Sequence, residues 1–203
     1  MRQFVSDFAS TPAVKAIQVE KGSRTAYARL ERAGGWPTTV TPELAEFLSD
    51  LDMFYLGTAS AEGQPYIQYR GGPPGFLKVL DERTLAFADF GGNRQYITVG
   101  NLSENPRAFL FLMDYANQQR VRLWGTARVV EDDAELLVRL RDPDYPGTVE
   151  RAIVFTIEAW DINCPQHIHL RYAHRQIKPV IDGLKARIAE LEAALEAERG
   201  RHN

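Results

Sequence analysis

The chain has 203 residues, of which 44% are hydrophobic and 25% are charged, and its formal net charge is −3. This length suits one good core with appendages, or two small domains, and the composition is ordinary for a globular protein. The negative net charge argues against a general nucleic-acid binder, which needs a basic excess to neutralise phosphates. The longest apolar run, Ala108 to Met113, is too short to span a bilayer.

The cysteine and histidine content predicts neither disulfides nor a metal site. Cys164 is the only cysteine, so no internal disulfide can form. His167 and His169 lie close to it in sequence, but no second cluster supplies further nitrogen or sulfur ligands. The chain also begins without the apolar core of a secretion signal. We therefore expect a cytoplasmic protein without a structural metal.

Residues 1–40 are predicted to form two short helices and a loop. Thr11 precedes a proline and is a plausible helix cap, and Ser23 can cap the second helix. A third helix is predicted to begin after Thr41, because leucines and Phe47 follow at helical spacing. These helices come before a segment that has a different pattern.

The middle of the chain is rich in predicted strands. The strands are expected at residues 53–59, 65–69, 76–80, 84–90, 108–115, 121–131 and 152–160, and short helices at 96–102 and 132–140. Strands at such short intervals, joined by hairpins, indicate a closed antiparallel barrel rather than a parallel α/β sheet. We find no internal repeat.

The C-terminal residues 173–203 are predicted to form an amphipathic helix, with Pro179 in its first turn. The apolar stripe follows a heptad rhythm: Ile181, Leu184, Ile188, Leu191 and Leu195. Two heptads are fewer than a coiled coil usually needs. Docking of the stripe on the barrel and pairing with a second copy are both open.

The segment Phe87–Tyr96 is the most informative part of the sequence. An apolar strand runs into a Gly-Gly-Asn turn that delivers Arg94 and Gln95 at the start of a helix. Backbone N–H groups and the helix N-terminus favour an anion there, and an arginine fork donates two hydrogen bonds to a phosphate. The arrangement suits the phosphate tail of a nucleotide-like cofactor. A hairpin turn with a solvated arginine is the alternative.

Arg70 ends a predicted strand and is followed by two glycines, Gly71 and Gly72. An arginine at a barrel rim with permissive backbone beside it could donate to a carbonyl-rich ring or to a phosphate. The alternative is a strand end with a bulge. Cys164 and His167 could suggest a nucleophile and its base, but no orienting group is identifiable. A loop that closes over a ligand, with Gln166 or His167 as a hydrogen-bond donor, is favoured instead.

The strand from Arg120 to Trp124 is predicted to place Arg120, Arg122 and Trp124 on one face, with Val121 and Leu123 toward the core. Two arginines and a tryptophan would form a cationic and aromatic surface suited to a planar anion. An exposed strand face that carries one aromatic residue is the alternative.

In this order and spacing, the segments resemble the pyridoxamine 5′-phosphate oxidase-like family of FMN-binding split barrels. The resemblance covers about residues 41–172. It rests on Gly57–Tyr66, on Arg70 and on Phe87–Tyr96, and residues 101–107 and 119–125 extend it. More narrowly, residues 70–76 together with 161–167 are similar to a bacterial branch of that family.

The resemblance implies a mainly β, α+β fold: an antiparallel split β-barrel with flanking helices and a C-terminal amphipathic helix. It divides the chain into a helical segment (1–40), an FMN-binding barrel (41–172) and a helix (173–203). FMN would lie in a groove at a two-fold dimer interface, with Arg70 and Arg94 matching cofactor-binding arginines. Gln95 stands where the authentic oxidase has a lysine. The expected cofactor contacts are Arg70, Gly71, Gly72, Asp89, Asn93, Arg94, Gln95, Arg120, Trp124 and His167.

The function implied is that of a homodimeric FMN-dependent oxidoreductase acting on a small organic substrate, without nucleic-acid or membrane partners. No catalytic residue is assigned, because hydride transfer by a flavin needs no protein nucleophile. The authentic oxidase ends in a substrate-binding tail, whereas this chain ends in the amphipathic helix. The alternatives are a flavin-binding or stress-related protein without turnover, a barrel that uses heme or a deazaflavin, and an interaction module without cofactor.

Overall fold

The computed structural model describes residues 3–162 and 164–201. The strands are β1 Met53–Ala59, β2 Pro65–Gly71, β3 Lys78–Val79, β4 Thr84–Phe90, β5 Arg107–Asp114, β6 Gln119–Val130 and β7 Val149–Ile162. The α-helices are α1 Pro12–Glu20, α2 Arg24–Arg32, α3 Pro42–Asp50, α4 Ile97–Glu104, α5 Ala134–Leu140 and α6 His174–Arg201, and a 3-10 turn spans Val5–Phe8. Of the described helices, none is long and apolar enough to cross a membrane.

The chain forms two compact units. The first comprises the chain up to Asp114 together with Gln119–Pro165, and therefore contains all the strands. The second comprises Tyr115–Gln118 and the chain from Gln166 onwards, and contains α6. Within the second unit, the Gln118 side-chain amide donates to the carbonyl of Ile168 at 2.6 Å.

The cap predicted at Thr11 is confirmed, and the helix predicted to begin after Thr41 has a threonine cap as well. Thr11 accepts a hydrogen bond from the backbone of Val14 at the start of α1, and Thr41 accepts one from Leu44 at the start of α3. The cap predicted at Ser23 is wrong, because its side chain makes no capping hydrogen bond. The backbone of Ser23 is already helical, which is not the extended conformation that lets a cap side chain reach back.

The start of α6 also differs from the prediction. The helix begins at His174, so Pro179 lies inside it rather than in its first turn. The backbone N–H groups of Gln176 and Ile177 donate hydrogen bonds to the carbonyl of Ala173, which adds a helical turn before the proline. Proline removes one N–H donor from the helix interior, and here a helical turn on its N-terminal side persists all the same.

The strands form one antiparallel seven-stranded sheet in the order β2-β1-β5-β6-β7-β4-β3. The predicted hairpin of β1 and β2 is confirmed, with Gly57 opposite Ile67. The sheet has two edges, β2 and β3, so the closed barrel expected from strand spacing is wrong. The α+β split barrel is confirmed: hydrogen-bonded pairing stops at β2 on one side and at β3, a two-residue strand, on the other.

Alternation along the strands produces the core. The residues of β1 are buried at every second position, and Val121 and Leu123 of β6 face inward as predicted. The main cluster joins α3 to the inner side of the sheet: Leu44, Leu48, Phe54, Leu56, Phe87, Leu110, Leu112, Leu123, Ile153 and Phe155 are among its members. A second cluster lies where α5 packs on β4 and β7.

Four neighbouring strands, β2, β1, β5 and β6, have a second face that points away from the core. This face carries aromatic rather than polar side chains. We call it the outer aromatic face: Tyr55, Ile67, Tyr69, Phe109, Phe111 and Trp124. Ile67 and Tyr69 are 69% and 60% exposed, although solvated sheet faces usually carry polar residues. Exposed apolar side chains grouped in this way make the outer aromatic face a candidate interaction surface.

Gly125 is required where β6 bends beside Trp124. The β6–β7 register shifts between Trp124 and Gly125, and a Cβ at Gly125 would lie 2.0 Å from the carbonyl oxygen of Thr156. Strand β7 therefore approaches the glycine too closely for any side chain.

We predict that Gly125→Ala lowers the free energy of unfolding by at least about 1–3 kcal/mol, the usual cost of overpacking. The matched control is Gly57→Ala on β1, whose added Cβ would make an ordinary contact with Phe109 at 3.5 Å. Urea unfolding of the two variants checks the difference. Equal stability of the two would contradict the close approach of β7.

Candidate functional site

A cleft of ≈ 290 Å³ opens beside the inner side of β2, next to the β4–α4 loop. We call it the polar cleft. Its walls come from β2, the end of β4, the loop, the first turn of α4 and the start of β7: Tyr66, Gln68, Arg70, Asp89, Phe90, Gly92, Asn93, Arg94, Gln95, Tyr96, Ile97, Thr98, Val99, Glu150 and Arg151. Strands β2 and β4 are not neighbours in the sheet, so the cleft lies at the split of the barrel.

Asp89 of β4 organises the floor of the polar cleft. It is 6% exposed and accepts a close hydrogen bond from Nη1 of Arg70 on β2. Its second carboxylate oxygen faces Nη1 of Arg151 at 3.5 Å. Arg151 also contacts Glu131 at 2.9 Å and Glu150 at 3.0 Å. Burial alone would lower the pKa of Arg151, but these carboxylates outweigh it and raise the pKa above its ordinary value.

The β4–α4 loop holds two non-glycine residues in the left-handed conformation. Arg94 has φ 59° and Tyr96 has φ 56°. Such residues cost roughly 1–3 kcal/mol each, and they persist where neighbouring contacts hold them. The Asn93 side chain accepts from the backbone of Gln95 at 3.3 Å, and the Arg151 guanidinium lies 5.2 Å from the centre of the Tyr96 ring. The loop conformation is therefore tied to the ion-pair cluster below it.

The first turn of α4 presents backbone donors to the cleft. Tyr96 is the N-cap of α4, and its side chain makes no capping hydrogen bond. The first N–H groups of a helix have no partner within the helix and carry a partial positive charge. Thr98 is buried in this turn and donates to the Gln68 side chain at 2.7 Å, which joins α4 to β2.

Two arginine side chains have donor capacity that the described residues leave unused. Nε of Arg70 is buried and has no hydrogen-bond partner among those residues. Arg94 is exposed, and its guanidinium makes no hydrogen bond or ion pair with any residue that the structure describes. A buried donor without a partner is rare in proteins and calls for an explanation. An anionic ligand in the polar cleft would supply acceptors to both arginines.

A second, larger cleft of ≈ 800 Å³ runs over the outer aromatic face, and we call it the aromatic cleft. Its walls include Tyr55, Ile67, Phe109 and Trp124. Tyr66 lines both this cleft and the polar cleft. The aromatic cleft and the arginine-rich polar cleft therefore meet at Tyr66 on the edge strand β2.

N-terminal residues build one end of the aromatic cleft. The ring of Trp36 stacks on Trp124 at 4.6 Å and 12°, and Phe8 packs on Trp124 at 5.6 Å. Phe109 contacts the same indole at 5.1 Å. Arg122 is bound by both carboxylate oxygens of Asp161, at 2.9 and 2.6 Å. The predicted cationic surface on β6 is thus partly neutralised by Asp161.

The structure brings half of the sequence-predicted contacts together: Arg70, Asp89, Asn93, Arg94 and Gln95 all line the polar cleft. Gly71 and Gly72 line an adjoining cleft of ≈ 450 Å³ that also includes Arg70. A Cβ at Gly72 would meet Phe76 at 2.6 Å, so packing against Phe76 requires this glycine.

The other three predicted contacts lie elsewhere. Trp124 lines the aromatic cleft. Arg120 is half-buried at the start of β6 and lines none of the clefts described above. His167 belongs to the second compact unit and has φ 64°. Among the described residues, no group of three or more His, Cys, Asp or Glu side chains could hold a metal ion.

Sequence reasoning missed Glu150 and Arg151, which complete the wall of the polar cleft. Asp89 and Arg151 are partners in the β4–β7 ladder, next to a register shift. They are separated by 62 positions in the chain. The signal in the sequence was that Glu150 and Arg151, two opposite charges, directly precede the apolar run from Ala152. Such a pair is common at solvated strand ends, so it did not indicate a site.

The family model described as pyridoxamine 5′-phosphate oxidase matches residues 40–163, more than half of the chain. No curated protein matches the chain. Among solved structures, HupZ of Group A Streptococcus is 17% identical with a TM-score of 0.48, over 66% of this chain and 99% of HupZ. An FMN-binding protein of Syntrophomonas wolfei is 16% identical with a TM-score of 0.48, over 72% of this chain and 97% of that protein.

A protein of Clostridium acetobutylicum related to general stress protein 26 of Bacillus subtilis is 20% identical, with a TM-score of 0.41. That similarity covers 64% of this chain and 88% of the other.

We predict that Asp89→Ala lowers the free energy of unfolding by about 3 kcal/mol, because Arg70 and Arg151 would keep buried charges without their shared partner. Glu131→Ala is the matched control, since Glu131 contacts the same Arg151 but is 63% exposed. Glu131→Ala is expected to lower the free energy of unfolding by less than about 1 kcal/mol. Chemical denaturation measures both, and equal losses would contradict the central role of Asp89.

Proposed function

Because the chain belongs to the pyridoxamine 5′-phosphate oxidase family, we propose that it binds FMN across the polar cleft and the aromatic cleft. The observation that carries this proposal is the wall that the two clefts share at Tyr66. One cleft offers unused arginine donors and the other offers aromatic rings. FMN has a phosphate at one end and a planar ring system at the other, which matches this division.

At the phosphate end, Arg94 and the first turn of α4 would bind the anion, and Nε of Arg70 would receive the acceptor it lacks. Asn93 and Gln95 lie on the same loop and offer neutral donors. Asp89 would not touch the phosphate, since like charges repel; it would hold Arg70 in place. This is a positioning role.

At the ring end, the aromatic cleft supplies flat apolar surfaces. Trp124 is fixed between Trp36, Phe8 and Phe109, so its edge toward the cleft is preorganised. Burial against such rings excludes water and favours a planar ligand. We assign Gly71, Gly72, Arg120 and His167 to the cofactor environment on the family resemblance alone.

When bound, a flavin supplies hydride transfer, and the chain's own residues bind and orient it. We propose a flavin-dependent oxidoreductase that acts on a small organic substrate. No side chain of the clefts forms a nucleophile and base pair, and we assign no catalytic residue. Cys164 is a free, exposed thiol, which fits a reducing cytoplasm.

We further propose that two chains associate through the outer aromatic face and that the pairing completes the FMN site. Support comes from the exposure of Ile67 and Tyr69 and from the position of the aromatic cleft on the same strands. A self-complementary patch of this kind suits a two-fold homodimer.

The first test is spectroscopic. Purified protein should show the yellow absorbance of oxidised flavin, and anaerobic addition of NADH or NADPH should bleach it if the protein turns over. Flavin that binds but is not reduced by any donor would favour a carrier without turnover. A heme spectrum, preferential binding of a deazaflavin or the absence of any cofactor would overturn the FMN proposal.

We predict that Arg94→Ala weakens FMN binding roughly tenfold to a hundredfold, because a charge-assisted phosphate contact contributes about 1.5–3 kcal/mol. Riboflavin lacks the phosphate and should bind wild type and variant equally. Arg128→Ala, an exposed arginine of β6 outside the polar cleft, is the control. Titration calorimetry with both ligands makes the measurement, and full FMN affinity in Arg94→Ala would contradict the assignment.

We also predict that the double variant Ile67→Glu with Tyr69→Glu loses FMN, since charges on the outer aromatic face oppose its burial against a second copy. Val138→Glu, on an α5 residue that is 74% exposed, should keep its FMN. Flavin content per chain is measured after gel filtration, together with sedimentation. A double variant that still holds one FMN per chain would contradict the shared site.

A further inference from the structure

Helix α6 carries an apolar stripe that remains exposed to solvent. Its side chains follow one another at alternating steps of four and three: Ile177, Ile181, Leu184, Ile188, Leu191 and Leu195. Each of them is between 37% and 60% exposed. The early start of the helix at His174 brings Ile177 into the stripe, so the pattern is one step longer than the sequence alone predicted. Three successive heptads are enough to consider a coiled coil.

An isolated helix of this composition is a poor candidate for independent stability. Pro179 and Gly183 both lie inside it, and each lowers intrinsic helicity. The exposed charge pairs Lys178–Asp182 and Arg187–Glu190 add little. The helix therefore needs a partner for its stripe.

We propose that α6 pairs with α6 of a second copy of this chain, in parallel, as a two-stranded coiled coil. In heptad notation the a positions are Ile181, Ile188 and Leu195, and the d positions are Ile177, Leu184 and Leu191. β-branched residues at a with leucine at d favour two parallel strands. Two of the three a positions carry isoleucine, and two of the three d positions carry leucine, as that preference requires.

The flanking charges select the direction. In a parallel pair, Arg187 at position g faces Glu192 at position e of the second copy, and the symmetry creates this attractive contact twice. In an antiparallel pair with the apolar layers aligned, Arg187 of one helix would face Arg187 of the other. Lys185 would likewise face Lys185 of the second helix. These like-charge contacts at the centre oppose the antiparallel arrangement, although Lys178 and Glu192 would attract there.

The residues that weaken a helix lie away from the proposed seam. Pro179 and Gly200 share position f with Ala186 and Ala193, on the side opposite the stripe, and Gly183 lies at position c, which is also outside the seam. Small or helix-breaking residues there make no contact with a second helix. This pairing is independent of the proposed function, since the clefts described above are lined by residues of the first compact unit.

The test uses the full-length chain carrying Ile67→Glu and Tyr69→Glu, which removes the proposed sheet-to-sheet contact. This chain should still self-associate by sedimentation equilibrium, and adding Ile188→Asp with Leu191→Asp should convert it to a monomer with lower helical circular dichroism. The matched control adds Ala186→Asp with Ala193→Asp on the f side and should remain associated. The proposal would be overturned if the chain carrying only Ile67→Glu and Tyr69→Glu were a monomer. It would also be overturned if adding Ile188→Asp with Leu191→Asp left the association unchanged.

Direction is tested by cross-linking in a Cys164→Ser background. Leu195→Cys should form a disulfide-linked dimer under mild oxidation, whereas Ala193→Cys at position f should not. In an antiparallel pair, Leu195 would instead oppose Ile177, so a mixture of Ile177→Cys and Leu195→Cys chains would cross-link to each other. That mixed product in place of the Leu195→Cys dimer would overturn the parallel pairing.

Discussion

The ion pair of Arg70 and Asp89 is the contact on which the architecture of the site depends. Strand β2 ends the sheet on one side, and β4 lies next to the other edge, with no described backbone ladder between them. Their side chains meet across this split. The side chains of Arg70 and Asp89 are only 12% and 8% exposed, so water hydrates their charges little and each depends on the other as a partner. Joining two ends of a sheet through charges rather than backbone leaves a gap that a ligand can enter.

The same contact organises the loop above it. Asp89 also holds Arg151, and Arg151 supports the ring of Tyr96, whose backbone is left-handed. Strain in the loop is thereby balanced by a cluster that is itself largely buried. Arg94 is left exposed at the rim while Arg70 is held at the floor. The site therefore combines one arginine held by a buried ion pair with one exposed arginine at the rim.

The sequence predicted most of the strands because alternation and turn residues are local signals. The β1–β2 hairpin, the inward residues of β6 and the Gly-Gly-Asn loop with Arg94 at its end all follow from neighbours in the chain. The wall of the polar cleft that β7 provides could not be predicted, since it depends on a ladder between distant strands and on a register shift beside Asp89.

Packing from the N-terminal segment was equally hidden from the sequence. Trp36 lies in a loop and Phe8 in a 3-10 turn, and neither has a periodic pattern that would indicate its target. Both rings pack on Trp124, and the bend at Gly125 lies directly beside that residue. Tertiary contacts of this kind decide which side of the β6 face is covered and which remains open to a cofactor or to a second copy.

The two proposed interfaces, one between sheets and one between helices, together limit the assemblies that are possible. An isologous contact through the outer aromatic face has a two-fold axis, and a parallel pair of α6 helices has one along its own length. If the two axes coincide, both interfaces join the same two chains, and the second contact forms at a high effective concentration. If they do not coincide, each interface recruits a different copy, and the assembly grows beyond a dimer. The three heptads of the proposed helix pair and the proposed sheet-to-sheet contact would reinforce each other most when the two axes coincide.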